Sequence, residues 1–301
     1  MFAFDTGVVS RVMLILASQG GGRDRIRTGR DPTDNLFAKH PAFAMAQPMC
    51  IISLAWQAHP RWQLVAIGNR DEMHARPAAA LERWPDHRHL LAGRDIQAGG
   101  TWLGVSERGR FAAVTNLAGH GPPDSSRASR GDLLKDFLTG EGDYANLDAA
   151  PFAAFNPFNL VTVAHGEARL HSNRPEPVSR RLAPGIHGLT NGPLDRPWPK
   201  AATLNRALAN WLELSTEDPG PLLDALASRK SYPRAAAALP GPPAPLEPAS
   251  SAIFIDNPVY GTRCSTVLAI DRTGAGWIRE RRFDAAATVT GEDCLHFRWP
   301  L

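Results

Sequence analysis

Two apolar segments in close succession constrain this chain most. Cys50-Ile51-Ile52-Ser53-Leu54-Ala55-Trp56 reads as a buried β-strand led by a thiol, and Trp62-Gln63-Leu64-Val65-Ala66-Ile67 rises as a second strand after a His59-Pro60 turn. Short strands follow at Leu90–Ala92, Thr101–Val105 and Arg110–Thr115, split by glycine-containing turns. From Gly131 the period changes to 3.6, with Leu133, Leu134, Phe137 and Leu138 on one helical stripe. Asn159–Ala164, Ala168–His171 and Val178–Leu182 return to strand. Helices are expected over Lys200–Leu214, with Leu204, Leu208, Trp211 and Leu212 on one face, and over Pro221–Ser228. A Pro/Ala loop occupies Ala235–Pro248, and Ala252–Ile255, Thr262–Asp271 and Gly276–Phe283 read as closing strands. Runs of strands, then helices, then strands predict an α+β domain of two antiparallel sheets with helices outside.

Residues 1–48 stand apart. Gly20 to Pro32 shows neither helical nor strand periodicity. Val8–Ala17 is too short to span a bilayer, and no cation precedes it as a secretory signal would require. This stretch is expected to be a mis-assigned or disordered leader, a cleaved propeptide being the alternative, and residues 49–301 a single domain. The leader holds six Lys/Arg and four acids, which leaves 27 cations against 26 anions of the chain's 33 and 30. The near-neutral body argues against a nucleic-acid partner. The Arg279, Arg281, Arg282 cluster reads as a solvated strand face, and no apolar run is long enough for a membrane span.

Three cysteines, Cys50, Cys264 and Cys294, form no CxxC pair, which fits a reducing cytoplasm. Ten scattered histidines show no HExxH spacing, so no dedicated metal site is expected. Cys50 directly follows Met49. Translation from Met49 and loss of that methionine leave a thiol and a free α-amine on one residue, a nucleophile and a base together. Gly68-Asn69-Arg70-Asp71-Glu72 is expected as a polar run just past the second strand, at its mouth. There Arg70 lowers the thiol pKa and Asp71 accepts from an α-ammonium group, unless the run is an ordinary turn with an Arg–Asp pair. Val114-Thr115-Asn116 and Gly188-Leu189-Thr190-Asn191 end two strands, and Tyr260-Gly261-Thr262-Arg263 begins a third; amides so placed either stabilise an oxyanion or cap turns. Cys264 and Cys294 read as plain core or surface thiols.

The ordered set Met49-Cys50-Ile51-Ile52, Gly68-Asn69-Arg70-Asp71-Glu72, Ala92-Gly93-Arg94-Asp95, Gly99-Gly100-Thr101-Trp102-Leu103-Gly104, Arg110–Asn116, Phe158-Asn159-Leu160, Gly188–Asn191, Pro197-Trp198-Pro199-Lys200, Ser251–Phe254 and Tyr260–Arg263 resembles the NRDE family, also called the transport and Golgi organisation family. The resemblance runs from Met49 to about Phe283. It implies a four-layer αββα sandwich similar to the N-terminal nucleophile hydrolases, among them choloylglycine hydrolases and penicillin V acylases. Carried over by motif, the catalytic positions are Cys50, Arg70, Asp71, Asn116, Asn191 and Arg263. The adjacency of Arg70 and Asp71 departs from those hydrolases, where the two are separated. The implied chemistry is hydrolysis of a linear amide or thioester through an acyl-Cys50 intermediate, with no cofactor. The alternative is a non-catalytic carrier of a fatty-acyl or haem ligand in the same cleft, with Cys50 as a thiolate ligand to haem iron and Trp62, Trp84, Trp102 and Trp198 as pocket lining. The oligomeric state is not legible in the sequence.

Overall fold

The first strand, β1 (Ile51–Trp56), is buried along its whole length and pairs on both sides. The computed structural model describes residues 50–194, 198–214, 216–232 and 252–300. The expected leader and the whole of the Pro/Ala loop lie outside these residues. After β1 come β2 (Trp62–Met73), β3 (Ala78–Arg83), β4 (Leu90–Asp95), β5 (Leu103–Ser106) and β6 (Arg110–Asn116). The helix α1 (Arg130–Thr139) and a 3-10 turn at Phe152–Ala154 lead into β7 (Phe158–Ala164), β8 (Glu167–Ser172), β9 (Val178–Arg181) and β10 (Gly185–Leu189). Helices α2 (Pro199–Glu213) and α3 (Gly220–Leu226) precede β11 (Tyr260–Asp271), β12 (Ala275–Phe283) and β13 (Val289–Arg298).

The strands form two antiparallel sheets. One runs β10-β1-β2-β11-β12-β13 and the other β3-β4-β5-β6-β7-β8-β9. Period-2 alternation sends successive side chains to opposite faces. On the first sheet Ile52, Leu54, Leu64, Ala66 and Leu268 meet Leu91, Val105, Phe111 and Val161 of the second in one apolar cluster. The opposite face of the first sheet, carrying Ile51, Val65 and Ile67, packs on Leu204, Leu208 and Trp211 of α2 and Leu222 of α3. The outer face of the second sheet, with Ala92, Ala112 and Leu160, packs on Leu133, Leu134 and Leu138 of α1. Fully burying a leucine- or phenylalanine-sized side chain is worth roughly 1.5–3 kcal/mol, so these three clusters hold the fold.

Local chemistry sets the helix ends. Ser129 caps α1 by accepting from the Gly131 N–H at 3.1 Å, and Gly140 closes it at φ 75°. Pro199 opens α2, where its missing N–H costs nothing. The start of α1 lies against the β4–β5 loop so closely that a Cβ on Gly100 would sit 2.2 Å from the Gly131 carbonyl carbon.

Several expectations need correction. The Asn69–Glu72 run does not follow β2 but continues it, because Ile51 pairs with Asn69, Thr262 with Asp71 and Tyr260 with Met73. Ala252–Ile255 is not a strand. Its backbone groups are satisfied elsewhere: the Phe254 N–H donates to Ser228 O, the Ile255 N–H to Thr262 Oγ1, and Ile253 O accepts from Asn69 Nδ2. Strands β3 and β13 are additions, and the strand expected to end at Asn191 forms as β10, stopping at Leu189. Each lies at a sheet edge, where one-sided pairing tolerates the alanines of β3, the glycines of β10 and the charges of β13. No helix among the described residues is long and apolar enough to cross a membrane.

Candidate functional site

At the amino end of β1 the apolar filling between the sheets gives way to a cleft of about 720 Å³. The alternation that sends Leu64 and Ala66 between the sheets also sends Arg70 there, toward Asp95 of the facing sheet. Cys50, directly before β1, falls opposite Arg70 by the register that pairs Ile51 with Asn69, and Cys264 pairs with Arg70 on its other side. Two strand spacings of about 4.8 Å put the two Cα atoms roughly 10 Å apart, too far for a disulfide. Cys50, Arg70 and Cys264 all line the cleft and are buried.

Cys50 Sγ lies 3.9 Å from the Asp71 carbonyl oxygen, a weak thiol donation. Burial, with the Asp71 charge adding, pushes this thiol up to about 12, and the backbone contact and Arg70 only partly oppose it. The Arg70 guanidinium donates from Nη2 to Asp95 Oδ2 at 3.0 Å, where Arg76 Nε also arrives at 2.6 Å. Burial acts to raise Asp95, but the Arg76 contact and the Ala98 N–H outweigh it and hold the carboxyl below its usual range. Arg70 Nη1 is buried and has no hydrogen-bond partner among the described residues. The alternative of an ordinary turn with an Arg70–Asp71 pair does not hold, since the two are neighbours on a strand and point to opposite faces.

Asp71 is 1 % exposed. Its Oδ1 accepts from Thr262 Oγ1 at 2.6 Å, while Oδ2 is buried with no hydrogen-bond partner among the described residues. Burial raises this carboxyl to about 7 against the pull of Lys200, Thr262 and Arg70. Lys200, near the start of α2, is itself buried, donates to Ala252 O at 3.3 Å, and is lowered by its burial against the pull of Asp71. Asn69 points to the same side and is fully engaged. Its Nδ2 donates to Leu226 O and Ile253 O, each at 2.9 Å, and its Oδ1 accepts from Ser265 Oγ at 2.7 Å. This residue ties β2 to α3 and to the segment after the Pro/Ala loop, so it is structural.

Of the remaining expected residues, Asn116 lines the cleft at the end of β6. Arg263 also lines it, from the irregular step between Thr262 and Cys264 in β11. Its Nη1 donates to the carbonyls of Met73, His74 and Arg76 at 2.9, 3.0 and 3.0 Å, which fastens the β2–β3 turn. Asn191 is fully buried and is not part of the cleft lining; its carbonyl accepts from the Ala118 N–H at 2.8 Å. Among the tryptophans Trp102 lines the cleft, whereas Trp62 and Trp84 belong to the outer apolar clusters and Trp198 to a small cluster with Ile255 and Tyr260. Arg279 and Arg281 lie on the solvated face and share Glu292, while Arg282 turns into the cleft. Cys294 is exposed on β13.

Sequence reading missed four contributors. Thr262, Lys200 and Asp95 lie inside the recognised motifs, and only pairing across the fold reveals that they act on Asp71 and Arg70. Arg130, one residue past the α1 cap, carried no signal. The described residues contain no group of His, Cys, Asp and Glu side chains able to hold a metal ion.

A two-sheet scaffold with a buried thiol, a guanidinium and a half-satisfied carboxylate at one cleft defines the class. The family model of Transport and Golgi organisation 2 matches residues 49–285, and the chain belongs to that family. Transport and Golgi organization protein 2 homologs from Bos taurus and Homo sapiens are similar to it. The first is 32% identical over 279 residues, covering 82% of this chain and 98% of the relative. The second is 30% identical over 262 residues, covering 77% and 92%. Among solved structures, a Caenorhabditis elegans ortholog of N-acylethanolamine-hydrolyzing acid amidase is 11% identical with a TM-score of 0.41, over 72% of this chain and 92% of that one. A mutant conjugated bile acid hydrolase from Clostridium perfringens is 10% identical with a TM-score of 0.37, over 83% and 97%.

Proposed function

We propose that this family member is an N-terminal nucleophile amidohydrolase, cutting a linear amide or thioester with Cys50 as nucleophile. In this reading the working chain begins at Cys50, residues 49–301 form one domain, and its layers make a four-layer αββα sandwich. Three free thiols support a reducing, cytoplasmic setting.

The observation that carries the reading is Asp71, whose backbone carbonyl meets the Cys50 thiol at 3.9 Å and whose side-chain oxygen Oδ2 is buried with no hydrogen-bond partner among the described residues. A freed α-amine on Cys50 is the base; once it takes up the thiol proton, the resulting ammonium supplies the missing donor, and its charge stabilises the sulfur anion that burial otherwise disfavours. The thiol proton passes to the α-amine as Sγ bonds to the substrate carbonyl carbon and the carbonyl electrons move onto oxygen. Of the two asparagines Asn116 is on the cleft wall, within the lining that meets that oxyanion. Collapse expels the amine or thiol, which takes the proton from the α-ammonium group. Water then cleaves the thioester and returns the proton to sulfur.

Intact-mass analysis of the active protein, with turnover of acyl-amide substrates, tests this. A chain starting at Cys50, a trapped acyl-Cys50 species and loss of turnover in Cys50→Ala are expected. Full activity in Cys50→Ala, or in a chain that keeps Met49, overturns it.

A second reading, carriage of an acyl ligand without turnover, draws on the thiol itself. With a peptide bond before it, Cys50 is pushed up to about 12 and is a poor nucleophile at neutral pH. Haem gains less support, because the cleft lining contains no histidine or methionine among the described residues and burial pushes the Cys50 thiol up, against the thiolate that iron would take.

A further inference from the structure

Most arginines that line the cleft are matched to carboxylates. Arg70 and Arg76 share Asp95, Arg94 reaches Asp86 at 3.2 Å, Arg127 reaches Asp124 at 3.5 Å, and Arg282 pairs with Asp293. Two are not. Arg130 and Arg263 line the same cleft, are partly buried, and make no ion pair within 4.0 Å among the described residues. The hydrogen bonds of each leave from one nitrogen, Arg130 Nη1 to Pro157 O at 3.1 Å and Arg263 Nη1 to three carbonyls. Arg263 Nε and Arg70 Nη1 are buried donors without acceptors among the described residues.

Withdrawing a guanidinium from water without a counter-charge is costly, and proteins place such groups where an anion arrives. The lining as a whole has seven arginines against five carboxyl groups. Arg130 and Arg263 line the same cleft as Cys50 and Glu72. Trp102 and the Ala78–Ala80 strand offer apolar surface in the same cleft.

We propose that the cleft selects amphipathic ligands by an anionic group, carboxylate or phosphate, that Arg130 and Arg263 hold while the apolar portion lies along Trp102. Fork-shaped guanidinium donors suit both anions. The assignment holds whether the ligand is then cleaved or only carried, so binding tests it separately from turnover.

Calorimetric titration of the full chain with decanoate, decyl phosphate, decanol and decyltrimethylammonium reads the preference directly. At least one anion is expected to bind about tenfold or more tighter than decanol, the cation more weakly still, with the gap shrinking as salt is raised from low to high. Which anion binds tighter separates a carboxylate ligand from a phosphate ligand. Arg130→Gln and Arg263→Gln are each expected to lose about tenfold in anion affinity while keeping decanol affinity, which reports an intact cleft. If Arg130→Gln loses decanol as well, Arg130→Lys decides: retained anion preference supports the assignment and lost preference overturns it. Equal binding of decanol and both anions, or Gln variants with unchanged anion preference, also overturns it.

Discussion

The Thr262 hydroxyl donates to Asp71 Oδ1 at 2.6 Å and accepts the Ile255 N–H at 2.9 Å, so one side chain on β11 joins the cleft carboxylate to the segment before β11. Its single proton is committed to Asp71. No second donor reaches Oδ2 among the described residues, which leaves that oxygen as the open valence of the site.

Replacing Thr262 by valine keeps the shape and removes both bonds. The Asp71 carboxylate and the Ile255 N–H are then buried without partners. Loss of about 2–4 kcal/mol is expected from two unsatisfied buried groups, measured as a lower urea midpoint at unchanged m-value. Thr262→Ser retains the hydroxyl and is expected to recover most of it; a valine variant as stable as the parent removes this bond from the architecture.

Asp71 also sets a pH dependence. Burial raises its folded-state pKa to about 7, above its unfolded value, so the unfolded chain releases this proton first. The folded state therefore loses relative stability as pH rises from about 4 to about 7, by at most about 1.4 kcal/mol per pH unit for one proton. Lys200, lowered by burial, acts in the opposite sense in a window below its ordinary 10.5. Asp71→Asn is expected to flatten the limb of the stability curve between about pH 4 and about pH 7, obtained by urea titration. A limb of unchanged slope in the asparagine variant would contradict the assignment.

Thiol chemistry distinguishes Cys294 on β13 from Cys50 beside β1. Cys294 is exposed, whereas Cys50 is buried and pushed up to about 12. In the chain bearing residues before Cys50, iodoacetamide at mildly alkaline pH is expected to label Cys294 at least about 100-fold faster, because only the thiolate reacts. Peptide mapping over time reads both sites. Comparable rates would mean that Cys50 is activated without a free amine.

Gly100 is a packing requirement. An added Cβ would lie 2.2 Å from the Gly131 carbonyl carbon, a backbone atom that cannot yield without moving α1. Gly100→Ala is expected to destabilise by about 1–3 kcal/mol, as overpacking does. The start of α1 carries Arg130, so the same variant should weaken anion binding; a melting temperature equal to the parent's would refute the close approach.

Much of the fold was legible from periodicity. The β1 and β2 runs, the Leu133–Leu138 stripe and the Leu204–Leu212 face each state how they bury, and all took the expected form. Misreadings came where a partner overrides local character. Asn69–Glu72 reads as a turn by polarity, yet pairing on both sides keeps it in the sheet. Ala252–Ile255 reads as a strand by hydrophobicity, yet Thr262, Asn69 and Ser228 take its backbone groups. The alanines of β3 give a weak strand signal. Leu81 packs into the core between the sheets, and its N–H donates to the buried Glu280 at 3.0 Å.

The sequence alone determined which segments are apolar on which face, that Cys50 stands directly before a buried strand, and the family to which these motifs belong. Those properties are local, carried by period and spacing. Only the tertiary structure decided that Arg70 answers Asp95 rather than Asp71, that Thr262 leaves one Asp71 oxygen open, that Asn191 is buried and outside the cleft lining, and that Arg130 and Arg263 share a cavity without counter-charges among the described residues. Those are pairings between residues distant along the chain. Strand register sets them, and a one-residue slip would reverse every one of the faces involved.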